Sequence, residues 1–283
     1  MSTHLDRLID LALDEDLGAA GDVTTSALVP ASARGRAELW AKEKMVLAGF
    51  EAFTRTFERV DPEVKVQLLA KDGDESGPKS LVAKLEGRLS SLLIGERTAL
   101  NLMQRACGIA TLSRQAANAV KGSRTQILDT RKTPPGLRGL AKQAVKAGGA
   151  TNHRFGLFDG VLIKDNHIAA VGGSVKKALQ LAKANAPRLV KIEIEVTNFD
   201  ELREAVAGGA DVVLLDNMDD EQLAQAVKIA GGKVQLEVSG GVTVERLPRL
   251  AKLGVDFVSM GALTHSARAM DLSLEIVLDK KRR

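Results

Sequence analysis

Cysteine, aromatic residues and long apolar runs are all scarce in this chain. A single cysteine, Cys107, excludes an internal disulfide and any thiolate metal cage. Tyrosine is absent, tryptophan occurs once and aromatics make up 3% of the 283 residues. That is too few for the base-stacking platforms of single-strand nucleic-acid binders. The longest apolar runs are four residues, such as Met45–Ala48 and Val212–Leu215, whereas a membrane span needs about 20. The opening stretch MSTHLDRLIDLALDEDLG is acidic and lacks the apolar core of a signal peptide, so the expected location is the cytoplasm. Net charge is only +4, from 40 Lys and Arg against 36 Asp and Glu. That balance makes no case, taken whole, for nucleic acid as a partner.

What is present is globular. With 45% hydrophobic and 27% charged residues, wholesale disorder is excluded. At roughly 150 residues per domain, the length suggests one or two domains. Charge is uneven along the chain. Between Lys121 and Arg154 stand eight basic residues (Lys121, Arg124, Arg131, Lys132, Arg138, Lys142, Lys146, Arg154) and one acid, Asp129. This local excess of seven exceeds that of the whole protein and favours a compact anionic ligand.

The pattern of elements changes near residue 110. Before it, helix Leu5–Leu13, a loop with GDVTT, and strands at Gly35–Lys42, Val64–Leu69 and Leu81–Glu86 suggest a small α+β domain. A helix over Ser90–Met103 is expected to continue into Gln115–Val120 after a break at Gly108. From Gln126, β-branched runs alternate with helical ones. Strands are expected at Gln126–Asp129, Gly160–Lys164, Lys191–Val196, Asp211–Asp216, Val234–Ser239 and Asp256–Met260. A further strand is possible at Ala150–His153. Repeated βα units imply a parallel sheet, as an α/β barrel short of eight strands or an open doubly wound sheet.

Strand parity bears on function. Ile192, Ile194 and Val196 share one face, and Lys191, Glu193 and Glu195 the other. Leu236 and Val238 likewise oppose Gln235, Glu237 and Ser239. With the apolar faces on the helices, the polar ones point inward. They line either a ligand cavity or a set of internal ion pairs.

In parallel α/β folds, chemistry gathers at strand carboxyl ends. Here these ends carry Thr130-Arg131-Lys132, His153-Arg154, Lys164, Glu195, Asp216, Ser239-Gly240-Gly241 and Met260-Gly261-Ala262. Arginine forks suit carboxylates and phosphates, and lysine acts as a point charge. The SGG and MGA turns can cradle a phosphate on backbone N–H groups, or can be tight turns without a ligand. Glu195 and Asp216 end consecutive strands, so their carboxylates could converge on Mg²⁺, on ribose hydroxyls, or beside a developing positive charge. His153 is read as a ligand contact, and His265 as able to reach a phosphate. His167 could fix loop geometry. Cys107, among apolar neighbours, reads as a small packing residue. Arg97 by itself reads as a solvated helix charge. No zinc motif, GxGxxG after a strand or GxxxxGK[ST] occurs.

Seven stretches carry a resemblance: LDEDLGAAGDVTT, GERTALNLMQRACGIAT, DTRKTPPGLRGLAKQAVKAGGATNHRFGLFDGVLIKDNH, IEIEV, VVLLDNM, EVSGGV and VSMGALTH. Together they resemble the quinolinate phosphoribosyltransferase (carboxylating nicotinate-nucleotide pyrophosphorylase) family of NAD biosynthesis. The resemblance implies an N-terminal α/β sandwich, residues 1–109, and an incomplete seven-stranded α/β barrel, residues 110–267. Residues 268–283 would pack back on the first domain. It implies a homodimer at least, or a hexamer, with Arg97 crossing to the neighbouring site. By the same match, Arg131, His153, Arg154 and Lys164 line a quinolinate pocket. Lys132, Glu195 and Asp216 lie near the phosphoribosyl pyrophosphate ribose and its Mg²⁺. Ser239, Gly240, Gly241, Gly261 and His265 would hold phosphate, with Thr130, Met260 and Ala262 beside them. Lys132, Lys164, Glu195 and Asp216 are the expected catalytic groups.

The chain departs from the family's usual pattern at Ala106-Cys107, at Gln143 within LAKQAV and at Ala150 within GGAT; none removes a charged group. The expected reaction transfers phosphoribosyl to quinolinate with loss of CO₂. The alternatives are another acidic heterocycle as acceptor, or a non-catalytic sugar-phosphate sensor.

Overall fold

The computed structural model describes residues 4–277. Contacts divide the chain into two compact units. The first holds residues up to Arg114, Thr133–Gly149 and the stretch from Thr264; the second holds Gln115–Lys132 and Ala150–Leu263.

The first unit opens with α1 (His4–Leu17) and α2 (Val23–Leu28). Its strands are β1 (Arg34–Ala41), β2 (Met45–Val46), β3 (Lys65–Leu68), β4 (Glu75–Ser76) and β5 (Ser80–Arg88). Helix α3 (Phe50–Val60) separates β2 from β3, and α4 (Leu89–Ala119) follows β5. Helix α5 (Arg138–Ala147) and the last described strand, β12 (Leu272–Val277), belong to the same unit. An antiparallel sheet runs β12-β1-β5-β3. Alternation puts Ala37, Leu39, Ala83, Leu85 and Leu274 into one core with Phe53 and Phe57 of α3 and Leu92, Leu100 and Met103 of α4. Phe50, Phe53 and Phe57 recur at helical spacing on α3, a helix outside the sequence reading. Burying each phenyl ring contributes roughly 1.5–3 kcal/mol.

Two expectations need correction. GDVTT is not a loop: the Asp22 carboxylate accepts the Thr25 backbone N–H at 2.9 Å and caps α2. Helix α4 does not break at Gly108 but runs through it. The glycine is there for close approach, since a Cβ at 108 would overlap the Arg268 carbonyl oxygen. The compact units group segments that are distant in the chain. Helix α5 groups with the first unit because Gly148, at its end, lies against Ala110 and Ser113 of α4, with room for no side chain. Strand β12 pairs with β1, placing Leu274 opposite Leu39; residues 278–283 lie outside the described residues.

The second unit is a run of parallel strands with helices between them. The strands are β6 (Gln126–Leu128), β7 (Val161–Ile163), β8 (Ile192–Val196), β9 (Val212–Asp216), β10 (Gln235–Ser239) and β11 (Phe257–Ser259). The helices are α6 (Asp165–Ala170), α7 (Val175–Asn185), α8 (Phe199–Ala207), α9 (Asp220–Ala230) and α10 (Leu247–Leu253), with the four-residue α11 (Ala262–His265) after β11. The sheet order is β6-β11-β10-β9-β8-β7. The seventh strand, expected at Ala150–His153, is reduced to one parallel bridge, Thr151 to Leu128, on the free edge of β6. This is an incomplete α/β barrel. Its apolar strand faces are fully buried, with Ile194, Val196, Val213, Leu215 and Val238 each at 0% exposure.

Candidate active site

The period-2 alternation of β7–β11 sends Leu162, Lys164, Glu195, Leu214, Asp216, Glu237, Ser239 and Ser259 to the inner face. Together with Thr130, Arg131, Lys132, His153 and Arg154 they line a cavity of about 480 Å³ at the strand carboxyl ends. Asn217, Gly240 and Gly241 complete the lining. The volume lies within the range of small-ligand sites. Eleven of the sixteen residues expected to bind substrate line it: Thr130, Arg131, Lys132, His153, Arg154, Lys164, Glu195, Asp216, Ser239, Gly240 and Gly241.

Short-range bonds hold these groups. Lys164 Nζ is 2.8 Å from Glu195 Oε2. The Lys164 backbone N–H donates to His167 Nδ1 at 2.9 Å, so His167 does fix the loop that carries the lysine. Asn217 Nδ2 donates to Asp216 Oδ2 at 2.7 Å, with Asn217 itself at φ +56. Arg154 donates through its guanidinium to the Gly160 carbonyl at 3.0 Å. Burial, then the charge of Arg131, pull the Arg154 guanidinium down from its ordinary value, though it stays a cation. The cavity therefore holds clustered positive charge in partly dehydrated surroundings, which an anion would relieve.

A second layer lies behind this one, and sequence reasoning did not single it out as a site. His153 Nε2 is 2.9 Å from Glu193 Oε2 and 3.6 Å from Glu237 Oε2. Burial, followed by the charge of Glu193, pushes the Glu237 carboxyl well above its ordinary range. Strand parity put both glutamates on the inner face; only the packing of β8, β10 and the 151–154 segment brings them to one histidine. The polar interior is thus a cavity with one ion pair, Lys164 to Glu195, backed by a buried hydrogen-bonded cluster.

Five expected residues are elsewhere. Arg97, on α4 of the first unit, is exposed, 3.9 Å from Glu96. Met260 is buried, and its N–H donates to the Leu128 carbonyl at 2.9 Å, continuing the β11–β6 ladder. Gly261 and Ala262 follow it and do not line the cavity. His265 falls in the first unit, its Nδ1 2.5 Å from Ser266 Oγ. The basic stretch is also divided. Only Arg131, Lys132 and Arg154 of its eight cations line the cavity, because Arg138, Lys142 and Lys146 ride on α5 in the first unit. Arg124 pairs with Asp256 instead, at 3.4 Å. Cys107 is fully buried on α4, its Sγ accepting the Ala48 N–H at 3.4 Å.

Two family models match the chain: the N-terminal domain of quinolinate phosphoribosyl transferase over residues 22–107, and its C-terminal domain over residues 109–275. A probable nicotinate-nucleotide pyrophosphorylase [carboxylating] of Bacillus subtilis is 41% identical over 278 residues, covering 98% of this chain and 95% of its own. One of the same description from Synechocystis is 44% identical over 268 residues, covering 94% and 90%. The crystal structure of NadC from Streptococcus pyogenes superposes with a TM-score of 0.92 at 41% identity, over 97% of both chains. With both domain models matched in order along the chain, and a cationic, carboxylate-bearing barrel mouth in the second unit, the chain belongs to the quinolinate phosphoribosyl transferase family.

Proposed function

We propose that this chain transfers the phosphoribosyl group of phosphoribosyl pyrophosphate to quinolinate with loss of CO₂. The products are nicotinate mononucleotide and pyrophosphate, in de novo NAD biosynthesis. The observation that carries the reading is a single cavity lined by Arg131, Lys132, Arg154 and Lys164 together with Glu195 and Asp216. Quinolinate bears two carboxylates and phosphoribosyl pyrophosphate is polyanionic. A site that strips their water must supply fixed cations.

In this reading Arg131, Arg154 and Lys164 hold the acceptor, with His153 in the pocket wall. Lys132 faces the pyrophosphate, and Ser239, Gly240 and Gly241 take the 5′-phosphate on backbone N–H groups. Glu195 and Asp216 face the ribose. The bond from C1 to pyrophosphate breaks as the pyridine nitrogen attacks, and the carboxylates stabilise the positive charge that develops there. The alkylated nitrogen is then cationic, so the ring can release its 2-carboxylate as CO₂ and take a proton at that carbon. Positioning and electrostatics suffice, with no covalent enzyme intermediate.

Magnesium enters as part of the substrate. Each carboxylate already has one partner, Lys164 for Glu195 and Asn217 for Asp216. Two hard, partly engaged oxygen donors suit an ion that keeps its waters and arrives on phosphates. Bound there, Mg²⁺ neutralises charge on the leaving pyrophosphate. We further infer a cytoplasmic homodimer in which Arg97 of one subunit completes the acceptor pocket of the other. Among the described residues no helix is long and apolar enough to cross a membrane.

The test is one assay with Mg²⁺, phosphoribosyl pyrophosphate and quinolinate, run in parallel with nicotinate, scoring mononucleotide and CO₂. Product with stoichiometric CO₂ from quinolinate alone is expected. Product from neither acceptor would leave another acidic heterocycle, or a non-catalytic sensor. Arg97→Ala and Arg131→Ala chains, each inactive, should regain activity when mixed under subunit exchange; no recovery would refute the shared site.

A further inference from the structure

Behind the acceptor pocket lies a buried group whose chemistry the proposed reaction does not use. The side chains of His153, Glu193 and Glu237 offer three potential ligand atoms within 4.8 Å of one another. They also stand between two cavities. His153 and Glu237 line both the 480 Å³ site and a second space of about 390 Å³ that Glu193 also lines. Glu193 and Glu237 are 7% and 2% exposed.

The hydrogen bonds decide what this group is. His153 Nδ1 accepts the backbone N–H of Arg154 at 2.7 Å. A neutral imidazole has one proton, so an accepting Nδ1 puts that proton on Nε2. Nε2 points at Glu193 Oε2, 2.9 Å away, and donates to it. A metal ion at Nε2 would force the imidazole proton onto Nδ1, against the Arg154 N–H, so this geometry favours a hydrogen-bonded cluster over a metal site. The His153 backbone N–H is also engaged, donating to the buried Asp129 Oδ1 at 2.8 Å. Both ring nitrogens are thus committed within the protein, one to a carboxylate and one to the main chain of the next residue.

We propose that Glu193, backed by Glu237, is a positioning residue of the acceptor pocket: it holds His153 as the Nε2–H tautomer, and the ring's Nδ1 fixes the peptide that carries Arg154. The inference rests on the phosphoribosyltransferase reading for its substrate, but not for its geometry. His153 acts here through Arg154, and the carboxylate behind it is what keeps the ring oriented. Glu237 supports the anchor from the far side, 3.6 Å from the same nitrogen.

The chain has only four histidines, so ring ¹⁵N spectra can be assigned with one His153→Gln control. In the wild-type protein without substrate, His153 should show a protonated Nε2 and a bare Nδ1. A proton on Nδ1 overturns the proposal with no variant needed. Glu193→Leu removes the acceptor altogether at similar volume. It should lower the population of the ordered Nε2–H form and raise KM for quinolinate by about 10- to 100-fold, the scale of one lost buried hydrogen bond. KM for phosphoribosyl pyrophosphate should change by less than about 2-fold, since its contacts lie outside this chain of bonds. Glu193→Asp keeps an acceptor and should recover the tautomer and part of the affinity. A wild-type tautomer with unchanged KM in Glu193→Leu overturns the proposal, as does an equal loss for both substrates. If the wild-type protein does not consume quinolinate yet shows the Nε2–H form, the functional reading fails and the anchoring of His153 stands. If it consumes quinolinate with His153 protonated on Nδ1, the reverse holds.

Discussion

Alanine at Gly240 should damage this protein far more than alanine at its neighbour Gly241. Both residues have positive φ, +98 and +54, where an L-residue costs roughly 1–2 kcal/mol. They differ in surroundings. A Cβ on Gly241 meets nothing within 4 Å. A Cβ on Gly240 would overlap Asn217 Oδ1 and lie 2.8 Å from its Cγ and 3.0 Å from its backbone N. Asn217 has little freedom to yield, because its N–H donates to the Ser239 carbonyl at 3.1 Å and its amide holds Asp216. Overpacking of this kind adds roughly 1–3 kcal/mol. Gly240→Ala should therefore cost about 2–5 kcal/mol and Gly241→Ala about 1 kcal/mol. Urea unfolding of the two variants side by side measures the difference. Because displacing Asn217 frees the Asp216 carboxylate, Gly240→Ala should also lower kcat/KM for phosphoribosyl pyrophosphate. Equal stability of the two variants within about 0.5 kcal/mol, or full activity in Gly240→Ala, would refute the reasoning.

Arg131→Ala should lower kcat/KM by roughly 30-fold to several-thousand-fold, the equivalent of about 2–5 kcal/mol for one partner of a buried charged contact. Near-parental turnover would take Arg131 out of the acceptor pocket. Gly108→Ala should yield little folded protein, since its methyl group needs the space of the Arg268 carbonyl; an unchanged melting temperature would contradict the packing of α4. Burial pushes the Cys107 thiol up to about 12, so a charged thiol reagent should label the chain only after denaturation. Stoichiometric labelling of the native protein would show the first unit's core to be more open than described.

Local signals made the barrel legible. Alternation in IEIEV and QLEVS, with a helix after each, is written in neighbouring residues, because a strand's two faces follow from the backbone alone. The same parity marked Glu193, Glu195 and Glu237 as inward. Steric demands were less legible. A glycine in mid-helix reads as a breaker, and only the chain from Thr264 onward, folded back on α4, shows Gly108 to be a contact. GDVTT read as a loop because a six-residue helix has too few turns to display a period.

Sequence alone determined the alternating βα order, the inward polar faces, the charged strand ends and, through the motif set, the family. Tertiary structure decided which of those residues meet. Eight clustered cations became three at the cavity: α5 carries three of the others in the first unit, and Arg124 pairs with Asp256. Met260 became a core residue, because its N–H stays in the ladder with β6, donating to the Leu128 carbonyl. Glu193 came to lie 2.9 Å from a histidine 40 residues away. Periodicity specifies which way a side chain points from its own strand. What it points at depends on strand order, and strand order is settled by the packing of distant elements.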